Sequence, residues 1–480
     1  MNVSKRSRAF RILFLTVKWL KVGSNREQAA MTRVVVGYGR TGRSVARFFE
    51  ERALPFWVAD DHLDPEAKTG LDTFQYCEGC STLAELSPAS GHTWIVSPGI
   101  PLTHPVFERA LNQGVQLIND LHLFAREVSG LLVGVTGSNG KSTVVAMVDH
   151  IAKAHQIRSI AAGNIGLPVL ETLDQSLELT VIELSSYQLE LDPVIDFHVG
   201  ALVNLMPDHL DRYPSVDAYY KTKEKLLRAS DKVVCFDAWR AERTEQALHA
   251  QAQDWLWVGQ ARDGDNHSVG TQKGVEVIDA GQVYRFIHGD GEGEIQKRGV
   301  WLCRHNSSNA ASAMGVALCL GLPFESSLAA LQSFTGLAHR CEVVQTEDGV
   351  TWVNDSKATN VGAAVSAIRS FGDGAPLILI AGGQAKQEDY GVLAGTLAGI
   401  NSVKGVLLYG EAAALISEQL GATCHQEIVK DLPNAITSAR ALSADGDVVL
   451  FSPACSSFDQ FQDFEARGNA FRQCVLELVA

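Results

Sequence analysis

The 480-residue chain has no surplus of positive charge: 41 Lys and Arg stand against 55 Asp and Glu, for a formal net charge of −14. A nucleic-acid-binding surface is therefore not expected as its main business, although backbone amides and single lysines bind phosphate whatever the net charge. Cysteine is sparse and unorganised. The nine residues (Cys77, Cys80, Cys235, Cys303, Cys319, Cys341, Cys424, Cys455 and Cys474) are odd in number and repeat no framework spacing. That excludes a disulfide scaffold and fits reduced thiols in the cytoplasm. Cys77-Glu-Gly-Cys80 is a lone C-x-x-C with no second ligand pair near it, so its thiols read as incidental. The chain also lacks a usable apolar run near its start. Residues 10–20 are interrupted by Arg11 and Lys18, too short to span a bilayer and poor as a signal peptide, so no stable membrane insertion is expected. Residues 1–30 read as a disordered or weakly helical extension, even a product of start-site choice, with a membrane-surface helix as the alternative. Internal repeats and low-complexity tracts are missing too.

What is present is ordinary globular composition, 46% hydrophobic and 20% charged, which excludes a disordered chain and a coiled coil. At about 150 residues per domain the length implies roughly three domains, with enough chain for several cores. From Met31 on, apolar strands alternate with amphipathic helices: a strand at 33–37, a helix at 43–52, strands at 55–60 and 94–98. The pattern restarts at 131–136 and again near Trp352, followed by strands at 377–380, 406–409 and 448–451. This pitch predicts βαβ units and parallel sheets. The expected fold class is α/β with three domains: Rossmann-like at 31–119, a phosphate-loop nucleotide-binding domain at 120–336, and Rossmann-like again at 337–480. The Gly- and Asp-rich stretch 255–297 reads as loops and small antiparallel strands.

The strongest motif is Gly134-Val-Thr-Gly137-Ser138-Asn139-Gly140-Lys141-Ser142-Thr143. It fits G-x-x-x-x-G-K-[ST], follows an apolar strand and opens a helix, the context that gives the pattern its meaning. Glycines let backbone N–H groups face phosphates, Lys141 supplies a point charge, and the Ser142 hydroxyl can bind Mg²⁺. A kinase, a hydrolase and a ligase all need such a cradle. A second turn, Gly37-Tyr-Gly39-Arg40-Thr41-Gly42, also joins a strand to a helix, and Asp60 closes the next strand. It reads as a dinucleotide fingerprint, which admits an oxidoreductase, but it serves any pyrophosphate, a UDP-linked one included, or simply joins strand to helix.

Glu183 lies where a strand after a phosphate loop delivers a carboxylate to Mg²⁺. A later strand runs into Asp208-His209-Leu-Asp211, putting ligand-type side chains at the carboxyl edge of the sheet. Lys221-Thr-Lys223-Glu-Lys225 follows; by spacing it is a solvated basic helix face.

Gly163-Asn164-Ile-Gly166, Glu183-Leu-Ser-Ser, Asp208-His209-Leu-Asp211-Arg, His305-Asn306-x-x-Asn309, His339-Arg340 and Asn354-Asp355-Ser356-Lys357-Ala-Thr359-Asn360, together with the phosphate loop, closely resemble the Mur ligases across 31–480. Two features, the Gly37–Gly42 turn and the stretch Ser452-Pro-Ala-Cys455-Ser-Ser457-Phe-Asp459 through Phe464 to Arg467-Gly468, resemble the family member that adds D-glutamate.

The resemblance implies an ATP-dependent amide ligase, a cytoplasmic monomer, with UDP-MurNAc-L-alanine and D-glutamate as small-molecule substrates. It implies that Gly137, Ser138, Asn139, Gly140, Lys141, Ser142, Thr143, Asn306, Asn309, Arg340, Asp355 and Lys357 contact ATP. Ser142, Glu183, His209 and Lys223 would hold two Mg²⁺ ions, with Lys223 carbamylated by CO₂, a reading that replaces the solvated-face one. Lys141, Glu183, His209, Lys223 and Asn164 would carry the catalysis. Gly37, Gly39, Arg40, Thr41, Gly42, Asp60 and Asn164 would take the UDP substrate, and Thr359, Lys386, Ser457 and Phe464 would take D-glutamate. Asp61 and His62 depart from the hydroxyl and basic residue that relatives often carry after the Asp.

Overall fold

The computed structural model describes residues 33–478 apart from 64, 174, 194, 210–211, 237–253, 263–273, 345–346, 373 and 386–387. Residues 1–30 and Lys386 therefore lie outside the described residues. The chain forms two compact units that meet in sequence at Arg126 and Glu127.

The first unit holds strands β1 (Arg33–Val36), β2 (Phe56–Ala59), β3 (Cys77–Ser81), β4 (Thr93–Val96) and β5 (Gln116–Ile118), all parallel, in the order β3-β2-β1-β4-β5. Val34, Val35 and Val36 are all buried, because a parallel sheet covered on both faces reads as a continuous apolar run. The helix Arg40–Glu51 buries Val45, Ala46, Phe48 and Phe49, the apolar set its spacing predicts. It begins three residues earlier than the sequence suggests, directly after an extended Gly39. Strand order reverses at β1, so the Gly37 turn stands at a topological switch point, where α/β sheets bind ligands.

The second unit contains two sheets. The larger is built from β6 (Leu131–Thr136), β7 (Ser159–Gly163), β8 (Leu179–Glu183), β9 (Phe197–Leu202), β10 (Ser230–Phe236), β11 (Asp254–Arg262), β12 (Gly274–Ala280), β13 (Val283–His288) and β14 (Gly291–Gln296). Its order is β14-β13-β12-β11-β10-β9-β6-β8-β7, parallel from β12 to β7. The stretch 255–297 is thus only half as expected. Strands β13 and β14 are antiparallel, but β11 and β12 extend the parallel sheet. Short alternating runs do not reveal strand direction. The later helix His305–Cys319 packs on these strands, its Ala310, Ala313 and Met314 sharing a core with Leu256, Val258, Val275 and Val277. Gly315 lets that helix approach closely: a Cβ there would sit 2.8 Å from Leu256 and 2.9 Å from Val234.

The smaller sheet comprises β15 (Glu342–Val344), β16 (Thr351–Asn354), β17 (Leu377–Gly382), β18 (Val403–Tyr409), β19 (Gln426–Ile428) and β20 (Val448–Phe451), ordered β15-β16-β20-β17-β18-β19. Only β15 runs antiparallel. Three sheets with their helices match the predicted α/β fold class.

Candidate active site

Strand β6 delivers the phosphate loop at the point where strand order reverses between β9 and β8. Gly140 caps the helix Lys141–Ala154 in the left-handed region, φ 80°, and any Cβ on it would collide with Asn309. The loop is laced to the strand-end segment after β9. Asn139 N–H donates to Asn204 Oδ1, and Asn204 Nδ2 donates back to Asn139 O, each at 2.9 Å. Ser138 Oγ donates to Met206 O at 2.9 Å and lies 3.2 Å from the Tyr219 hydroxyl. Lys141 folds over the loop and donates to Gly137 O and Ser138 O, both at 2.9 Å. Burial lowers its pKa, opposed by the charge of Glu183.

Glu183 ends β8 and is buried. Asn164 Nδ2 donates to its Oε1 at 2.8 Å, whereas its buried Oε2 has no hydrogen-bond partner. An unpartnered buried carboxylate oxygen is unfavourable unless a cation or ligand completes it.

Lys223, in the helix Val216–Arg228, is the outcome that spacing alone did not give. It is 1% exposed, donates to Gly137 O at 2.8 Å, and lies 4.7 Å from the centre of the Tyr219 ring. Burial, then the nearby Lys141 charge, hold its pKa well below the usual lysine value, against Asp208 and Glu183. Its neighbour Lys221 pairs with Asp217 on the solvent face. His209 has a left-handed backbone, φ 54°. Its Nδ1 lies 2.8 Å from the Tyr187 hydroxyl and its Nε2 3.6 Å from Asp208 Oδ2.

A cavity of about 720 Å³ opens from the loop toward the smaller sheet. Ser138 to Thr143, Asn164, Glu183, Asn306 and Asn309 line it from the elements of the larger sheet, and Arg340, Asp355, Lys357 and Thr359 from around the smaller one. His209, Lys223, Ser457 and Phe464 do not line it. Arg340 reaches across, donating to Ser142 Oγ at 2.7 Å. Burial lowers its pKa while Glu183 and Asp355 hold it up. Asp355 accepts from Cys341 N–H at 3.2 Å and from Ser452 Oγ at 2.9 Å, and burial raises its pKa to about 7. Lys357 Nζ sits 3.7 Å over the Phe464 ring; burial, then Arg340, bring its pKa to about 8. Asn306 Nδ2 donates to Val300 O, and Asn309 Nδ2 to Asn306 Oδ1, so both amides are fixed from behind.

In the first unit, Gly37 takes φ 87°, and its carbonyl accepts from Ser97 Oγ at 2.7 Å. Gly42 lies so close to that carbonyl that no side chain fits. Gly39 and Arg40 are exposed and Thr41 half-buried at the helix start. Asp60 closes onto this turn: its carboxylate accepts from Tyr38 N–H at 2.6 Å and His62 N–H at 2.7 Å. Asp61 accepts from Leu83 N–H.

Residues 31–119 match the Mur ligase MurD-like N-terminal domain, 135–317 the Mur ligase middle domain, and 339–455 the Mur ligase glutamate ligase domain. A UDP-N-acetylmuramoylalanine--D-glutamate ligase of Nitrosococcus oceani is 36% identical over 459 residues, covering 94% of this chain and 98% of that one. The chain belongs to the Mur ligase family. The Pseudomonas aeruginosa protein of the same name is 37% identical over 455 residues, 93% of this Mur ligase and 98% of its own length. Two solved structures share the fold. The MurF ligase of Thermotoga maritima in complex with ADP has a TM-score of 0.57 at 16% identity, covering 82% of this chain and 97% of that one. The UDP-N-acetylmuramate-alanine ligase of the same organism has 0.55 at 18%, covering 93% and 99%.

Residues to which sequence reasoning assigned no role support the site of this Mur ligase. Asn204 ties the loop to β9, and its place at a strand's carboxyl end was the available signal. Tyr187 positions His209. Arg467 is fully buried and holds the C-terminal segment, donating to Ser356 Oγ, Ser356 O, Cys455 O and Ser456 O.

Proposed function

We propose that this chain joins D-glutamate to UDP-N-acetylmuramoyl-L-alanine with ATP, through an acyl phosphate. The observation that carries the reading is one cavity that combines a phosphate loop, a buried Glu183 with an unpartnered oxygen, and Arg340 and Lys357 from the smaller sheet. The relatives' printed names supply the substrates.

The L-alanine carboxylate attacks the γ-phosphorus of ATP and ADP leaves. The D-glutamate amine then attacks the acyl carbon, and inorganic phosphate leaves with the amide formed. The first step brings two anions together. Lys141 and Arg340 offset that repulsion from fixed positions, so little reorganisation is needed as charge develops. Lys357 adds a third cation at the cavity wall. Asn306 and Asn309 belong to the nucleotide side. Asn164 fixes Glu183 and presents an amide to the UDP substrate.

The donor set fits magnesium: the Ser142 hydroxyl and Glu183 Oε2 are hard oxygens beside the phosphate loop. A second position would draw on Glu183, His209 and Lys223 as its carbamate. Bound Mg²⁺ supplies positive charge to the phosphate and acyl oxygens. With Nδ1 engaged by Tyr187, Nε2 would be the nitrogen that His209 offers to the cation. Lys223 suits carbamylation because only the neutral amine attacks CO₂, and its burial beside Lys141 favours that form.

Residues 31–119 take the UDP moiety at the Gly37–Gly42 turn, where Gly39, Arg40 and Thr41 open a helix and Asp60 holds the turn's shape. Residues 120–336 take ATP. Residues 337–480 take D-glutamate through Thr359, Ser457, Lys386 and the backbone at Phe464, whose carbonyl is braced by Ser356 Oγ at 2.8 Å. The chain works as a monomer in the cytoplasm. Its nine free cysteines accord with a reducing compartment, and no helix among the described residues is long and apolar enough to cross a membrane.

An amino-acid panel with UDP-MurNAc-L-alanine, read as ADP release, tests the proposal. ADP release with D-glutamate is expected; turnover with another amino acid in its place, or none with D-glutamate, overturns it.

A further inference from the structure

Behind the nucleotide cavity, three side chains bring metal-ligand atoms together. Cys303 Sγ lies 2.9 Å from Cys341 Sγ and 3.3 Å from both ring nitrogens of His305. One ligand atom from each residue falls within 4.8 Å of the others. Both thiols are buried, while His305 lines the cavity. A core packed only for volume has no need of this polarity.

We propose that Cys303, His305 and Cys341 bind a thiophilic divalent cation, Zn²⁺ being the borderline-soft example, at a site separate from the oxygen ligands around Glu183. Zinc bonds of about 2.3 Å to sulfur and 2.0–2.1 Å to nitrogen, at tetrahedral angles, put neighbouring ligand atoms roughly 3.5–3.8 Å apart. The sulfur–nitrogen spacing is already close, and the two sulfurs need to open by under about 1 Å.

Supporting contacts surround the three ligands. Ser366 Oγ lies 3.2 Å from His305 Nδ1, which directs Nε2 to the cation, and Asp355 accepts the Cys341 N–H. Binding as two thiolates releases the thiol protons of Cys303 and Cys341. Two thiolates and a neutral imidazole around a dication leave no net charge in the buried site.

Occupancy has a structural consequence. Cys303 precedes the helix that carries Asn306 and Asn309, and Cys341 follows Arg340, the residue bound to Ser142. The cation clamps the larger sheet's helix to the smaller sheet's first strand at the nucleotide site.

Cobalt titration of the full-length, metal-free chain under a non-thiol reductant provides the test, with Cys77→Ser/Cys80→Ser as the background. One equivalent should develop a thiolate-to-cobalt charge-transfer band and intense visible bands of a tetrahedral site. Cys303→Ser and Cys341→Ser should each abolish the charge transfer, and Ser366→Ala should weaken binding by roughly tenfold to a hundredfold. X-ray absorption of the same background protein with one equivalent of zinc reports the ligands even where a cysteine variant fails to fold. Two sulfurs and one imidazole around zinc support the site. A shell of oxygen and nitrogen only, bands that persist in folded Cys303→Ser, or no binding by the reduced chain overturns it. A chain that yields only a Cys303–Cys341 disulfide on oxidation and takes no cation once reduced also overturns it.

Discussion

Lys141 and Lys223 donate to one acceptor, the carbonyl oxygen of Gly137, at 2.9 and 2.8 Å. Two ammonium groups on one carbonyl is an arrangement in which each disfavours the other's charge, and the more deeply placed Lys223 has the pKa far below normal.

Lys223→Ala is therefore expected to lower kcat by about 10²–10³-fold, the size of effect seen when a fixed electrostatic group is removed. Wild-type turnover should fall in CO₂-free buffer and return with bicarbonate, whereas the variant's residual rate should ignore both. A wild-type rate indifferent to CO₂ removal counts against the carbamate.

Glu183→Gln separates function from stability. The amide keeps the oxygen that Asn164 bonds but removes a buried charge whose second oxygen has no partner. The Tm of the ligand-free protein should hold or rise, while ADP release falls by roughly 10²-fold or more and no longer responds to added Mg²⁺. Calorimetry and an ADP assay on the same sample decide it.

Lys357 carries a pH signature of two opposite signs. Its pKa drops from 10.5 when unfolded to about 8 when folded. Between those values the unfolded chain binds the extra proton, so this residue's contribution to stability rises with pH across that window. Nucleotide affinity should do the reverse, weakening by about tenfold as the ammonium is lost through pH 8. Titration calorimetry with ADP on the wild type and Lys357→Met should show the trend in the first and a flat profile in the second.

Arg467 donates to four acceptors in the C-terminal sheet's buried edge, at 2.8–3.0 Å. Arg467→Ala removes four buried hydrogen bonds and should cost roughly 3 kcal/mol or more. Arg467→Lys keeps the charge without the planar fork and should fall between. Urea unfolding measures both; a loss under about 0.5 kcal/mol, the size typical of a surface change, would contradict the assignment.

Much of the site was legible because phosphate recognition is local. Strand, glycines, Lys141 and helix start occupy consecutive positions, so Gly134 to Thr143 could be read with no knowledge of the rest. Strands such as Val448–Phe451 were legible for a related reason: full burial on both faces leaves an unbroken apolar run. The direction of β11 and β12 was not, since short alternating runs read the same in parallel and antiparallel strands. Lys223 is the sharpest case. Its spacing matches that of its neighbours Lys221 and Lys225, and only the rotation of the helix Val216–Arg228 against the sheet sends one of the three inward.

By itself, then, the amino-acid order determined the α/β class, the phosphate cradle and the family, because these are written in short-range pattern and local turn chemistry. Tertiary structure alone decided which polar groups meet. It seated Arg340 on Ser142, left Glu183 Oε2 unpartnered, put two lysines on one carbonyl, and gathered Cys303, His305 and Cys341 from positions with no shared spacing. The physical reason is that burial and charge proximity, which set those groups' chemistry, depend on distances through space that contiguous sequence does not encode.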